Sequence, residues 1–379
     1  MDDVDRRNIC IILLLALSVK LLLVSSVYMF GPQDIMAHVG IPNNMVYATW
    51  SILNMSFEGR GVVEKLGYSH DSVGLINAAV EGYHDDLREP GNTWEKSFHG
   101  KCLFNWPFVY PLLSGVFSVF FGYVVSGLVI ANISSFFAVS FFYFIAKRYV
   151  GGKKALYSTV LLMFYPYNLT FFTVSYAEPL YLVFVLLSWH YFMEKKYASC
   201  GFFALAASLT RYPGVVLFLM YSVLMLYNGR GGGIWKGSCD VLKICVFVIP
   251  VLFWFFFSES VTGLALSELP SYCYETNAYA IRTFLSNPVS VLFLYFACVG
   301  VVFLGKKDKQ LRVYALSFIL LHLLFFRSST SRYLGVIWPL FIYYGSKLDR
   351  TDLIFCCVGF LIMGVVNTVA HSNFIPLIF

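Results

Sequence analysis

Charge is scarce in this sequence. Asp, Glu, Lys and Arg make up 13% of its 379 residues, about half the share of a soluble domain. A soluble globular fold is thereby excluded for most of the chain. Strand-period alternation over about 10 residues, the mark of a membrane β-barrel, is absent. No Cys/His spacing resembles a zinc site. The glycine-rich "NGRGGG" at 228–233 lacks the Lys-Ser/Thr of a phosphate loop and follows no strand, which argues against nucleotide binding there. No internal repeat, low-complexity tail or separate soluble domain is visible. The first apolar run, Asn8 to Phe30, is too long for a signal-peptide core and has no small-residue cleavage site after it, so it reads as a retained first span.

What is present is oil. Hydrophobic residues make up 59% of the chain and aromatics 19%, and the mean hydropathy is +0.71. Long apolar runs recur from end to end. Backbone in lipid must satisfy its own hydrogen bonds, so such runs are helices. The expectation is an all-α polytopic membrane protein forming one domain over 1–379, with about 11 transmembrane helices (range 8–12). The spans fall near 8–30, 115–146, 155–171, 176–193, 197–210, 213–228, 241–259, 287–304, 312–327, 333–346 and 352–370. Residues 104–120 read as a partly embedded entry to the second span.

The net charge of +6 fits basic topology signals rather than nucleic-acid binding. With a cytosolic N-terminus, short cytosolic connections hold most of the 27 basic residues, Arg6, Arg7, Lys147, Arg148, Lys153, Lys154, Lys195, Lys196, Lys347 and Arg350 among them. Lys20 lies inside the first span. The far side then carries one large polar loop, 31–103, with short interfacial helices, and a second loop at 260–286. Cys102 and Cys273 fall in these far-side loops, either bridged or as free thiols. Of the three Asn-x-Ser/Thr sequons, at Asn54, Asn132 and Asn168, only Asn54 lies where glycosylation machinery reaches.

Ionisable groups at membrane depth are costly and mark function by default. Asp71, Glu178, Arg211, Arg327, Arg332 and His371 all fall at the far-side face. Each also has a structural reading. Asp71 stands where an N-cap would begin a helix carrying Val73, Ile76, Val80 and Tyr83 and ended by Gly82. Glu178 before Pro179 suits a helix start, and Arg211 suits an interfacial snorkel. One of Arg327 and Arg332 suits an interfacial anchor, and His371 a satisfied histidine. Asp85 and Asp86 read as a solvated turn, with a divalent ion shared with Asp71 as the lesser alternative. Together the set suits group transfer from a lipid phosphate to a polar acceptor: a carboxylate as general base and arginines as phosphate clamp.

Five blocks then carry a family resemblance. They are "HDSVGLINAAVEGY" (70–83), "LFNWPFVYPLL" (103–113), "FYPYNLTFFTVSYAEPLYLVFVL" (164–186), "ALAASLTRYPGVVL" (204–217) and "HSNFIP" (371–376). In order and spread, they resemble the GPI mannosyltransferase 2 family (PIG-V). The resemblance implies a GT-C-like enzyme of the endoplasmic reticulum membrane with its active site lumenal. It would transfer the second mannose, in α1,6 linkage, from dolichyl-phosphate-mannose to the mannosylated GPI precursor lipid, with inversion. Asp71 would be the catalytic base. Arg211, Glu178, Arg332, Tyr333, His70 and His371 would bind substrate or the donor phosphate. No cofactor or metal is expected, since a cation clamp serves a phosphate leaving group. A small stabilising membrane subunit is implied as partner. The chain departs from the family with His70 in place of Trp, Gly74-Leu75 in place of bulkier residues, and Ala177 in place of Ser or Thr. A lipid-phosphate-sugar enzyme with a different acceptor is the alternative, and a transporter or lipid scramblase a more distant one.

Overall fold

The computed structural model describes residues 3–30, 61–83, 100–228, 241–264, 288–325 and 330–373, and every regular element among them is helical. The first helix, α1, runs Asp3–Met29, with Asp3 and Asp5 in its first turn where the helix dipole favours acids. Two short helices, α2 (Val62–Gly67) and α3 (Asp71–Glu81), belong to the polar loop segment. Then come α4 (Val109–Phe121) and the 42-residue α5 (Tyr123–Phe164), followed by α6 (Pro166–Phe171), α7 (Glu178–Met193), α8 (Tyr197–Ser208) and α9 (Val216–Asn228). The chain closes with α10 (Ile249–Thr262), α11 (Pro288–Lys307), α12 (Lys309–Phe325), α13 (Thr330–Leu334), α14 (Pro339–Lys347) and α15 (Arg350–Ser372).

Among the described residues, four helical stretches are long and apolar enough to cross a membrane: Asp3–Met29, Tyr123–Phe164, Val241–Thr262 and Arg350–Ser372. Shorter apolar helices include Val109–Phe121, Tyr197–Ser208, Tyr212–Leu226 and Val291–Leu304. Leu14, Leu17, Leu21, Phe253, Phe256, Phe355 and Ile362 face outward as lipid does. Ile12, Ala16, Leu23, Ala138, Phe142, Ala146, Trp189 and Ala204 fill one continuous interior.

Two glycines set the path. Gly151, at φ 74° and ψ 165°, breaks α5 where basic residues gather, between the two expected spans. Gly122, at φ 72° and ψ 161°, breaks the chain in a region that L side chains rarely adopt. The expected span at 115–146 therefore begins later, at Tyr123, and the segment before it is a helix of its own, α4.

The bundle has two chemically distinct ends. At one, Lys147 meets Asp5 at 2.6 Å, Arg148 meets Glu194 at 3.3 Å and Lys154 donates to the Leu348 carbonyl at 2.5 Å. Asp349 and Asp352 form a reciprocal cap that starts α15 there. At 1.5 Å per residue, α7 and α15 reach about 24 Å and about 35 Å from this end, close to the thickness of a bilayer's hydrocarbon core. Their far ends hold Glu178 and His371.

Candidate functional site

At that far end, residues distant in sequence form a charge cluster. Helix α7 starts at Glu178, followed by Pro179, whose fixed φ suits a first turn. The helix start and the charge site are the same residue. The Glu178 side chain is 4% exposed, and its Oε1 meets Arg211 Nη1 as well as Arg332 Nε and Nη2, the last two each at 2.5 Å. Arg332 Nη1 reaches Asp71 Oδ2, also at 2.5 Å, and the Asp71 side chain is 28% exposed. One guanidinium thus bridges both acids. Arg211 donates through Nη2 to the Tyr333 hydroxyl at 3.2 Å and lies over that ring at 5.2 Å.

Burial opposes the charge on Arg332, but the carboxylates of Glu178 and Asp71 outweigh it and raise its pKa well above the ordinary value. Arg211 is raised for the same reason, with Glu178 as the principal favourable partner. Both guanidinium groups are therefore firmly cationic. Arg211 is paired and nearly buried, so it does not snorkel.

The N-cap reading of Asp71 is corrected by the structure. His70 occupies the cap position, without a side-chain cap bond, and Asp71 is the first residue of α3. Its carboxylate points to Arg332, while its backbone N–H donates to the Tyr176 hydroxyl at 3.0 Å. The helix ends at Gly82 as expected, φ 75°. His70 is one of two non-glycine residues with positive φ, at 47°, among the described residues. Its ring stacks on His371 with centroids 4.6 Å apart, and His371, 1% exposed, has no hydrogen-bond partner for either ring nitrogen among the described residues. The expectation of a satisfied histidine is thus not met by hydrogen bonding.

Five of the expected site residues therefore meet directly: Asp71, Glu178, Arg211, Arg332 and Tyr333. His70 and His371 pack together behind Asp71. Arg327, Asp85, Asp86, Asn54 and Cys273 lie outside the described residues. Among the described residues no group of three His, Cys, Asp or Glu side chains could hold a metal ion. Cys102 is disulfide-bonded, and its partner lies outside the described residues. Asn132 and Asn168 spend their side chains inside the fold, on the Leu128 and Thr173 carbonyls and on the Leu162 and Gly335 carbonyls respectively.

Several supporting residues were not among the expected site residues. The loop between α6 and α7 delivers Tyr176 and Glu178, and it is tied from three sides. Lys20, inside α1, donates to the Phe172 carbonyl and to Asn132 Oδ1 at 2.7 Å. Tyr110 shares a hydrogen bond with Ser175 at 3.0 Å, and Ser175 N–H donates to the Leu66 carbonyl at 3.1 Å. Lys20 stood out as a cation inside a span, and Tyr110 and Tyr176 fall within the blocks that carry the family resemblance, without an assigned role. At Gly74 a Cβ would strike the Trp106 indole at 2.1 Å, so the missing side chain is what lets that ring lie against α3.

Fold and site together define an α-helical multi-pass membrane protein with a charge-balanced cluster at one end of its bundle. No protein-family model matches the chain, and no curated protein matches it. Among solved structures, the crystal structure of ArnT from Cupriavidus metallidurans bound to undecaprenyl phosphate is similar at 13% identity and a TM-score of 0.49, over 89% of this chain and 75% of that one. A likeness of that degree carries no argument about function, which rests on the residues themselves.

Proposed function

We propose that the protein is a GT-C-type membrane glycosyltransferase that moves a sugar from a lipid-phosphate donor to a polar acceptor. The carrying observation is the quartet Asp71, Glu178, Arg211 and Arg332, assembled from four distant parts of the chain. Two acids balance two arginines, so an incoming phosphodiester anion competes with a carboxylate for guanidinium donors. Among the described residues, nearly buried Glu178 takes three N–H groups, and the more exposed Asp71 is met by one. The phosphate therefore displaces Asp71, the more weakly held acid.

Released from Arg332, the Asp71 carboxylate takes the proton of the acceptor hydroxyl. The acceptor oxygen attacks the anomeric carbon from the face opposite the phosphate. The bond from that carbon to the phosphate oxygen breaks, its electron pair leaves with the lipid phosphate, and the configuration inverts. Arg332 and Arg211 stabilise the extra negative charge on the departing phosphate. The proton rests on Asp71 until water or product phosphate removes it.

In its finer form, the reading is the second mannosyltransferase of GPI-anchor biosynthesis. It adds an α1,6-linked mannose from dolichyl-phosphate-mannose, in the endoplasmic reticulum membrane, with the quartet lumenal and the Lys147–Asp5 end cytosolic. The resemblances at 70–83, 164–186, 204–217 and 371–376 support it. A different acceptor is the second reading, favoured by His70 at a Trp position and by Trp106 occupying the space beside Gly74. Cells lacking the second GPI mannosyltransferase test the two. Restored surface GPI proteins, lost again with Asp71→Asn, support the first. If they are not restored while microsomes still transfer from dolichyl-phosphate-mannose, the acceptor is another. No transfer from any lipid-phosphate sugar refutes both.

A further inference from the structure

The proposed chemistry uses Asp71 and Arg332, yet both lean on a residue with no charge. Tyr176 is 1% exposed. Its hydroxyl oxygen accepts the Asp71 N–H at 3.0 Å. That amide opens α3 and has no intrahelical acceptor, and the cap residue His70 supplies no side-chain cap bond. Tyr176 therefore caps the helix from 105 residues away.

The same ring carries the clamp. The Arg332 guanidinium lies 4.8 Å from the Tyr176 ring centroid and 4.6 Å from that of Phe171, within cation–π range of both. A third contact reaches the residue before the base. Tyr176 meets His371 edge-on, with centroids 5.1 Å apart, and His371 stacks on His70. His70 holds a positive φ of 47°, a conformation that persists only when its surroundings enforce it. Tyr176 and the His70–His371 stack supply that enforcement on both sides of the His70–Asp71 peptide.

We propose that Tyr176 is a positioning residue for the transfer reaction. Its oxygen sets the start of α3 and so the direction of the Asp71 carboxylate, and its ring holds the Arg332 plane where the donor phosphate arrives. This rests on the transferase reading above. The two contacts separate by substitution. Tyr176→Phe keeps the ring and removes the oxygen; Tyr176→Leu removes both.

The test is transfer kinetics in microsomes with a lipid-phosphate mannose donor, normalised to folded protein, together with hydrogen exchange of the 70–75 backbone. Tyr176→Phe is expected to lower kcat roughly tenfold, the worth of one aligned hydrogen bond, with donor KM within about twofold. Exchange at 70–75 rises. Tyr176→Leu additionally raises donor KM. Wild-type kcat and unchanged exchange in Tyr176→Phe overturn the inference. So does a kcat loss confined to poorly folded material, which marks a merely structural role. A wild type inactive with every lipid-phosphate sugar overturns the transferase reading and the inference with it, whereas an active wild type matched by Tyr176→Phe overturns the inference alone.

Discussion

Glu178→Gln and Asp71→Asn each neutralise an acid in the same cluster, and the structure sets their consequences apart. The Glu178 side chain is 4% exposed, and its Oε1 is met by Nη1 of Arg211 and by Nε and Nη2 of Arg332. Glutamine keeps the shape but removes the charge that balances two nearly buried guanidinium groups. Removing one partner of a buried ion pair costs about 3–5 kcal/mol. For a chain of this size, that is a fall in the thermal midpoint on the order of 10 °C. The Asp71 side chain is 28% exposed and, among the described residues, meets one guanidinium nitrogen, and Arg332 keeps Glu178 when it is lost. Its neutralisation costs about 1 kcal/mol or less, a midpoint shift of a few degrees at most. Transfer should nevertheless fall by orders of magnitude in Asp71→Asn, since an amide cannot accept the acceptor's proton. The assay is thermal unfolding of detergent-solubilised protein followed by tryptophan fluorescence, beside transfer in microsomes. A Glu178→Gln protein as stable as wild type, or an Asp71→Asn protein destabilised as much as Glu178→Gln, would refute the reasoning.

Arg332→Lys keeps the charge but loses the planar fork that bridges two acids; kcat/KM for the donor should fall about 100-fold, read by donor titration. Lys20→Met removes an amino group that donates to the Phe172 carbonyl and Asn132. The thermal midpoint should hold or rise, because an ionisable group inside the membrane is removed, while turnover falls several-fold as the loop to Tyr176 loosens. Reduction of the Cys102 disulfide should destabilise by about 2–4 kcal/mol, measured by melting with and without reductant.

The residues legible in the sequence were those that disobey their surroundings. Asp71, Glu178, Arg211 and Arg332 stood out because ionisable groups in oil need partners, and opposite charges at one membrane face are the nearest partners on offer. The break at Gly151 was legible too, because basic residues flank it. The break at Gly122 was not, since the apolar run continues through it and only the backbone dihedrals reveal the turn. Tyr176 is one of 26 tyrosines in a chain that is 19% aromatic, so composition singles out none of them. Its bond to a backbone amide in another segment leaves no local pattern. The sharing of Arg332 between two acids is likewise a matter of tertiary distance. Position alone left Asp71 equally suited to capping its own helix, and tertiary pairing decided against that.

Two negative and two positive charges, each next to its opposite, have no net monopole. The potential of such an arrangement dies away within a few ångströms, far more steeply than that of a single ion. The cluster therefore does not steer anions from a distance, and mobile salt has little field to screen. Its discrimination acts at contact, on whatever lipid has already diffused in the plane of the bilayer to the end of the bundle. Ionic strength should then leave its capture of donor almost untouched.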